Sequence, residues 1–338
     1  MIKVRALLFT LCVFSLAASE TSSSDLYSPR SWRTVEIDDS PHQLRGDKAP
    51  DESFAVDTLV FRGGLYLASK EESFGGYSGV TVSPDGESFL AVSDRSHWLA
   101  ANLNYGPNGR LIGAENARMM DVASANGRPL TGNAADAEAV FTKGADLFVG
   151  FERKNRIDTY RSDEEGTIVF QRNLVTFDDA NIPFNKGIEA IAPLDEERLI
   201  AFTERAASPN GGVKAWIISL NGDTAELSYK PADAFSPTDA ALLPGGDILV
   251  LERAYSRLLG PRARLARIRA NDVFPGAVLQ GNELARLRPP LVIDNMEGLS
   301  LRQNDDGDAL LYIISDDNQN PRRQKTILLM FELTDAID

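Results

Sequence analysis

Cysteine is almost missing from this chain of 338 residues: the single one, Cys12, stands in an N-terminal apolar run. That excludes a disulfide framework and a thiolate metal site. Histidine is nearly as scarce, with only His42 and His97, so a multi-histidine zinc or iron centre is excluded as well. No G-x-S-x-G string occurs, and Gly76-Tyr77-Ser78-Gly79 matches only its beginning, which leaves a serine nucleophile elbow without support. Positive charge is in the minority. There are 35 Lys and Arg against 49 Asp and Glu, a net charge of −14, and this argues against a nucleic-acid partner. After the N-terminus no apolar run approaches the roughly 18 to 20 residues of a membrane span. No segment sustains a 3.6-residue apolar period between caps, which disfavours an α/β fold.

What is present begins with a basic tip, MIKVR, an apolar run from Ala6 to Leu16 and small residues to Ser19. This is the pattern of a cleaved secretory signal over residues 1–19, and it predicts a periplasmic or secreted protein. Residues 20–54, rich in Ser, Asp and Pro, read as a flexible or partly ordered lead-in. Residues 55–338 read as one domain, taken to be a monomer.

One phrase recurs five times in that domain. Tyr77-Ser78-Gly79-Val80, Ala137-Glu138-Ala139-Val140, Ile188-Glu189-Ala190-Ile191, Thr238-Asp239-Ala240-Ala241 and Met296-Glu297-Gly298-Leu299 each open a short apolar strand. A turn follows, such as Ser83-Pro84-Asp85-Gly86 or Pro244-Gly245-Gly246-Asp247, and then a second apolar strand ending in an acid. The copies start 50 to 60 residues apart, with two further strand-like runs between them. Four strands per repeat of this length is the pattern of an all-β β-propeller. Five blades are expected, with six as the alternative, and the run from Thr58 to Leu67 is expected to complete the last blade.

In this register Ser78, Glu138, Glu189, Asp239 and Glu297 share one position at the head of the innermost strands, and so converge on the axis. Four close carboxylates cannot all stay ionised unpaired, and a hard cation resolves the repulsion. Calcium, which accepts 6 to 8 oxygens in flexible geometry, suits such a ring. The second strands return to the same mouth and bring Asp94-Arg95, Glu152-Arg153, Glu204-Arg205 and Glu252-Arg253 there. Arg95, Arg153, Arg205 and Arg253 are therefore candidates to bind an anionic group, and Asp94, Glu152, Glu204 and Glu252 candidate acids or bases. The competing reading is a set of Glu/Arg braces between blades.

The phrases around Ser78, Glu138, Glu189 and Glu297, each followed by an apolar strand ending in Asp or Glu, resemble the family called esterase-like activity of phytase, over about residues 55 to 333. The resemblance implies hydrolysis of an ester or phosphoester. The central pattern is also similar to that of the calcium-activated nucleotidases, which implies that Ser78, Glu138, Glu189, Asp239 and Glu297 are calcium ligands. The Asp-Asp-Pro-Ala string of propeller phytases is absent, Asp178-Asp179-Ala180 being the nearest, so inositol hexakisphosphate is not the substrate implied. The expectation is a calcium-dependent hydrolase of a small anionic phosphoester, against a non-catalytic propeller whose metal is structural.

Overall fold

Each repeat is organised by a hairpin whose turn the sequence dictates. In the first, Gly86 takes φ +79°, its N–H donates to the Ser83 carbonyl at 2.8 Å, and Asp85 Oδ1 accepts from the Glu87 N–H. Proline, aspartate and glycine at these places fix the turn and hence the register of the strands Tyr77–Val82 and Ser88–Ser93. The computed structural model describes residues 32–46, 53–163 and 166–334. The export signal expected over residues 1–19 lies outside the described residues.

The strands form all-β antiparallel units of four. Tyr77–Val82, Ser88–Ser93, His97–Tyr105 and Leu111–Asp121 are consecutive neighbours, and so are Ala137–Lys143, Asp146–Phe151, Arg156–Ser162 and Ile168–Thr176. The third repeat adds Ile188–Pro193, Arg198–Ala207, Val213–Ser219 and Thr224–Tyr229, and the fourth Ser236–Leu242, Ile248–Ser256, Gly260–Ile268 and Asn282–Leu287. The last unit joins the two ends of the chain. Asn295–Gln303, Ala309–Asp316 and Thr326–Leu333 are completed by Leu59–Leu67, which pairs antiparallel with Thr326–Leu333. A single parallel bridge, Gly63 to Leu111, links this unit to the first.

The units pack face to face through apolar side chains, and the cores follow one another round a circle. Val92 and Trp98 meet Val149 and Tyr160; Phe141 and Ile157 meet Ile191 and Trp216; Phe202 and Tyr229 meet Ile248 and Val250. Leu251 and Leu265 then meet Ile313 and Phe331, and Tyr312 and Ile314 meet Phe89 and Met119 of the first repeat. The first strands of successive repeats touch in the same order, each beside the next, and the last, Asn295–Gln303, lies against Tyr77–Val82. This closed circuit is propeller packing, and it leaves no repeat with a bare face.

Residues 32–46 run along the outside of this framework. Arg33–Thr34 pair with Met119 and Arg118, and Leu44 is buried in the core shared by the fourth and last units. His42 is fully buried with Nε2 on the Val292 carbonyl at 2.7 Å, and burial pushes its pKa down to about 4.

Candidate metal centre at the head of the inner strands

Along each inner strand the pairing skips one residue. The skips fall between Tyr77 and Gly79, Ala137 and Ala139, Ile188 and Ala190, and Met296 and Gly298, and so leave out Ser78, Glu138, Glu189 and Glu297. A bulge of this kind re-aims the extra side chain, and it distinguishes the acids from the strand residues on either side. The small residue that follows is a packing requirement. A Cβ on Gly79 would stand 2.8 Å from the Val140 nitrogen, and one on Gly298 would stand 2.9 Å from the Ser78 carbonyl oxygen.

The fourth repeat departs from the expected register by one residue. Its skip lies between Pro237 and Asp239, so Thr238 takes the position held elsewhere by Ser78 and the glutamates. Asp239 pairs with Leu251 instead, and its carboxylate accepts from the Leu299 N–H at 2.7 Å and the Ala240 N–H at 2.9 Å. Asp239 therefore fastens its strand to the next inner strand, where the charge of Glu297 still acts on it.

The same displacement affects the outgoing strands. The partners of Tyr77, Ala137, Ile188, Pro237 and Met296 are Ser93, Phe151, Thr203, Glu252 and Ser315. One residue further come Asp94, Glu152, Glu204, Arg253 and Asp316, so Arg253 occupies the place an acid fills in the other repeats. Glu252, expected at the mouth, is fully buried beside its own sheet. There it accepts from the Tyr229 hydroxyl, from Arg264 Nη1 at 2.7 Å and from the Ala232 N–H at 3.4 Å.

Two sets of carboxylates converge. Ligand oxygens of Asp136, Glu138 and Glu152 lie within 4.8 Å of one another, and so do those of Glu152, Glu189 and Glu204. Glu152 belongs to both. Glu297 Oε1 lies 2.7 Å from Arg253 Nε and accepts from Asn295 Nδ2 at 2.7 Å. Among the described residues, Glu297 Oε2, Asp136 Oδ2 and Asp94 Oδ1 are buried oxygens with no hydrogen-bond partner. Buried carboxylate oxygens without a hydrogen-bond donor are what a cation site requires, and oxygen ligands of this type fit a hard ion. Asp136 was not among the candidate ligands; its signal was the phrase Asp136-Ala137-Glu138, where an acid two residues upstream shares the face of Glu138.

Enclosure and mutual repulsion raise these acids together. Glu138 and Glu189 are pushed well above the usual carboxylate range, first by burial and then by neighbouring acids, Asp136 and Glu152 for the former, Glu138 and Glu152 for the latter. Burial lifts Glu152 to about 7, with Asp136 and Glu204 adding to it, and lifts Glu297 to about 7 against the pull of Arg253. Asp316 rises to about 8 and Asp94 to about 6, again chiefly by burial. Arg253 is held firmly protonated by Glu297.

The arginines divide into three at the rim and one inside. Arg153 is exposed, contacts Asp136 Oδ1 at 3.2 Å and donates to Asn185 Oδ1 at 2.7 Å. Arg205 is exposed and donates to Ser236 Oγ at 2.8 Å, across the junction of the third and fourth repeats, with Glu204 3.5 Å away. Lys186 Nζ sits 2.6 Å from Glu204 Oε2. Arg95 is exposed at the edge of an open hollow beside the first repeat. Arg253, between Glu297 and Glu204, is an internal counter-ion.

No curated protein matches the sequence. Solved structures that align with the chain include an aldose sugar dehydrogenase from Streptomyces coelicolor in its PQQ-bound form, at 13% identity over 80% of this chain and 97% of that one, with TM-score 0.42. An endo-arabinase from Bacteroides thetaiotaomicron aligns at 12% identity over 83% and 97%, with TM-score 0.46. The family model described as Phytase-like, esterase-like activity of phytase, matches residues 72–319, so the chain belongs to the phytase-like family.

Proposed function

We propose that the protein is an exported, calcium-dependent hydrolase of small phosphoesters, built as a five-bladed propeller whose ion sits at the head of the inner strands. The reading is carried by one observation: carboxylates converge there, and one of them, Asp136, keeps a buried oxygen with no hydrogen-bond partner among the described residues, as do Glu297 and Asp94, whose charges act on the same cluster. Glu138, Glu189, Glu297 and Glu152 would hold the ion, with Ser78, Thr238, Glu204 and Asp136 beside them. When bound, calcium neutralises the acids and polarises a phosphoryl oxygen. Arg153 and Arg205 stand at the rim, where a guanidinium fork can take an anionic group. Glu152 and Glu204 belong to the cation cluster in this reading, which leaves the base to another side chain. Export is supported by the basic tip and apolar run of residues 1–19.

One observation favours the rival, a propeller whose metal only stiffens it. Arg253 already offsets part of the buried negative charge, as a structural ion pair would. Turnover separates the readings. Purified protein is assayed on p-nitrophenyl phosphate, bis(p-nitrophenyl) phosphate and p-nitrophenyl acetate, in calcium and in chelator. The proposal expects phosphoester turnover that disappears in chelator and returns with calcium. Calcium binding with no turnover of any phosphoester would leave the structural reading standing.

A further inference from the structure

The hydrolase reading leaves the proton transfer without an owner, because Glu152 and Glu204 belong to the cation cluster and Glu252 is held by Tyr229 and Arg264. A different cluster lies just outside. An open hollow of about 480 Å³ is lined by Glu72, Ser73, Arg95, His97 and Gln319. His97 begins the third strand of the first repeat, and Asp121 ends the fourth as its register partner. His97 Nδ1 lies 3.0 Å from Asp121 Oδ1, and that carboxylate is 9% exposed against 22% for the imidazole. Asp121 thus holds Nδ1 as the protonated nitrogen and leaves Nε2 with its lone pair, which has no partner among the described residues.

The rest of the hollow supplies donors. Arg95 stands in the turn before His97, next to Ser96 at φ +57°. Gln319 Nε2 is buried without a hydrogen-bond partner among the described residues. Its backbone is fixed in the left-handed region at φ +53°, with its N–H on Asp317 Oδ1 at 3.0 Å. The hollow also adjoins the acid cluster. A Cβ on Gly76 would stand 2.5 Å from Gln319 Nε2 and 2.3 Å from Asp94 Oδ1, so only glycine lets the donor and the mouth acid close on the same backbone. Glu72 brings one negative charge to the rim against the one positive charge of Arg95, a balance that suits a singly charged group better than a dianion.

We propose that this hollow is the reaction site for a phosphodiester, with His97, oriented by Asp121, as the general base. The inference rests on the phosphoester reading given above. His97 Nε2 takes a proton from a water whose oxygen bonds to phosphorus. The bond from phosphorus to the ester oxygen opposite that water breaks, its electrons stay on that oxygen, which takes a proton from solvent, and Nε2–H returns its proton to solvent. The products are an alcohol and a phosphomonoester. Arg95 holds a non-bridging oxygen, and Asp121 stabilises the imidazolium that the proton transfer forms.

The test uses the full protein with calcium and two probes, bis(p-nitrophenyl) phosphate and p-nitrophenyl phosphate. The diester is expected to be the better substrate. His97→Gln is expected to lower kcat about 100-fold or more while leaving the calcium-induced rise in melting temperature unchanged, and added imidazole is expected to restore part of the rate in His97→Gly. Asp121→Asn, which acts through His97, is expected to lower kcat without moving KM, whereas Arg95→Ala is expected to raise KM about tenfold. Full activity in His97→Gln, with wild-type melting, overturns the base. Preference for the monoester overturns the substrate class. A wild-type protein inactive on both probes ends the phosphoester reading itself and this inference with it, whereas an active wild type with an active His97→Gln ends only the inference.

Discussion

Glu189 is enclosed with Glu138, Glu152 and Glu297 around it, and Arg253 is the one guanidinium that draws it toward ionisation. Replacing its carboxyl with an amide of the same shape removes a charge that the fold must otherwise keep protonated or neutralise. Glu189→Gln is therefore expected to melt no lower than wild type in chelator, and to lose most of the stabilisation that calcium gives. Asp239 predicts the reverse, although the repeat pattern of the sequence gives both side chains one position. Its carboxylate satisfies the Leu299 N–H, and leaving a buried donor unpaired costs about 1–3 kcal/mol. Asp239→Ala is expected to lower the melting temperature in chelator while the calcium shift survives. Thermal melts of the two variants, each with and without calcium, check both outcomes, and equal loss of the calcium shift in both would put Asp239 back among the ligands.

The difference between those residues is a property of the strand. Strand pairing, hairpin turns and the closing role of Leu59–Leu67 were legible in the sequence because turn residues and apolar runs are local signals. The position of a bulge is not local. It depends on which residue the neighbouring inner strand leaves room for, and a slip of one residue turns a side chain to the other face. The phrase Thr238-Asp239-Ala240 imitates Glu138-Ala139 by carrying an acid before a small residue, yet the skip takes Thr238. Arg253 and Glu252 then move with it: the dipeptide that looks like Glu204-Arg205 places its arginine, not its acid, at the mouth. The pair His97–Asp121 escaped for a related reason, since only the folded sheet brings its two members together, whereas Asp136 carried a local signal two residues before Glu138. The register is testable. Thr238→Glu is expected to tighten calcium binding and lower the melting temperature in chelator, and Asp239→Glu to do neither through the metal. Glu252→Ala is expected to cost about 1–3 kcal/mol, because it leaves the buried Tyr229 hydroxyl and Arg264 Nη1 without their acceptor while Arg264 keeps Glu283 and the Gly281 carbonyl, and turnover below the melting temperature is kept.

At the scale of the whole molecule, the buried acids make stability depend on pH and calcium at once. The folded state keeps protons that the unfolded chain has already released, because Asp94 is raised from 3.8 to about 6, Glu152 and Glu297 from 4.5 to about 7, and Asp316 from 3.8 to about 8. Where the folded state binds more protons, stability falls as pH rises. In chelator the melting temperature is therefore expected to decline from about pH 4 to about pH 8, the window set by those values. Ligands of a bound cation are deprotonated, so calcium removes the penalty and releases protons as it binds. At a hundredfold excess over Kd a ligand of the folded state adds about 2.7 kcal/mol, which for a domain of this size is about 5 °C or more. The calcium-induced shift is expected to be small near pH 5 and largest near pH 8, and titration calorimetry near pH 7 in two buffers of different ionisation enthalpy is expected to record proton release. A shift that is the same at both ends of the range, with no protons released, would mean that calcium binds away from the buried acids, and the central site would have to be abandoned even if the protein proved to need calcium.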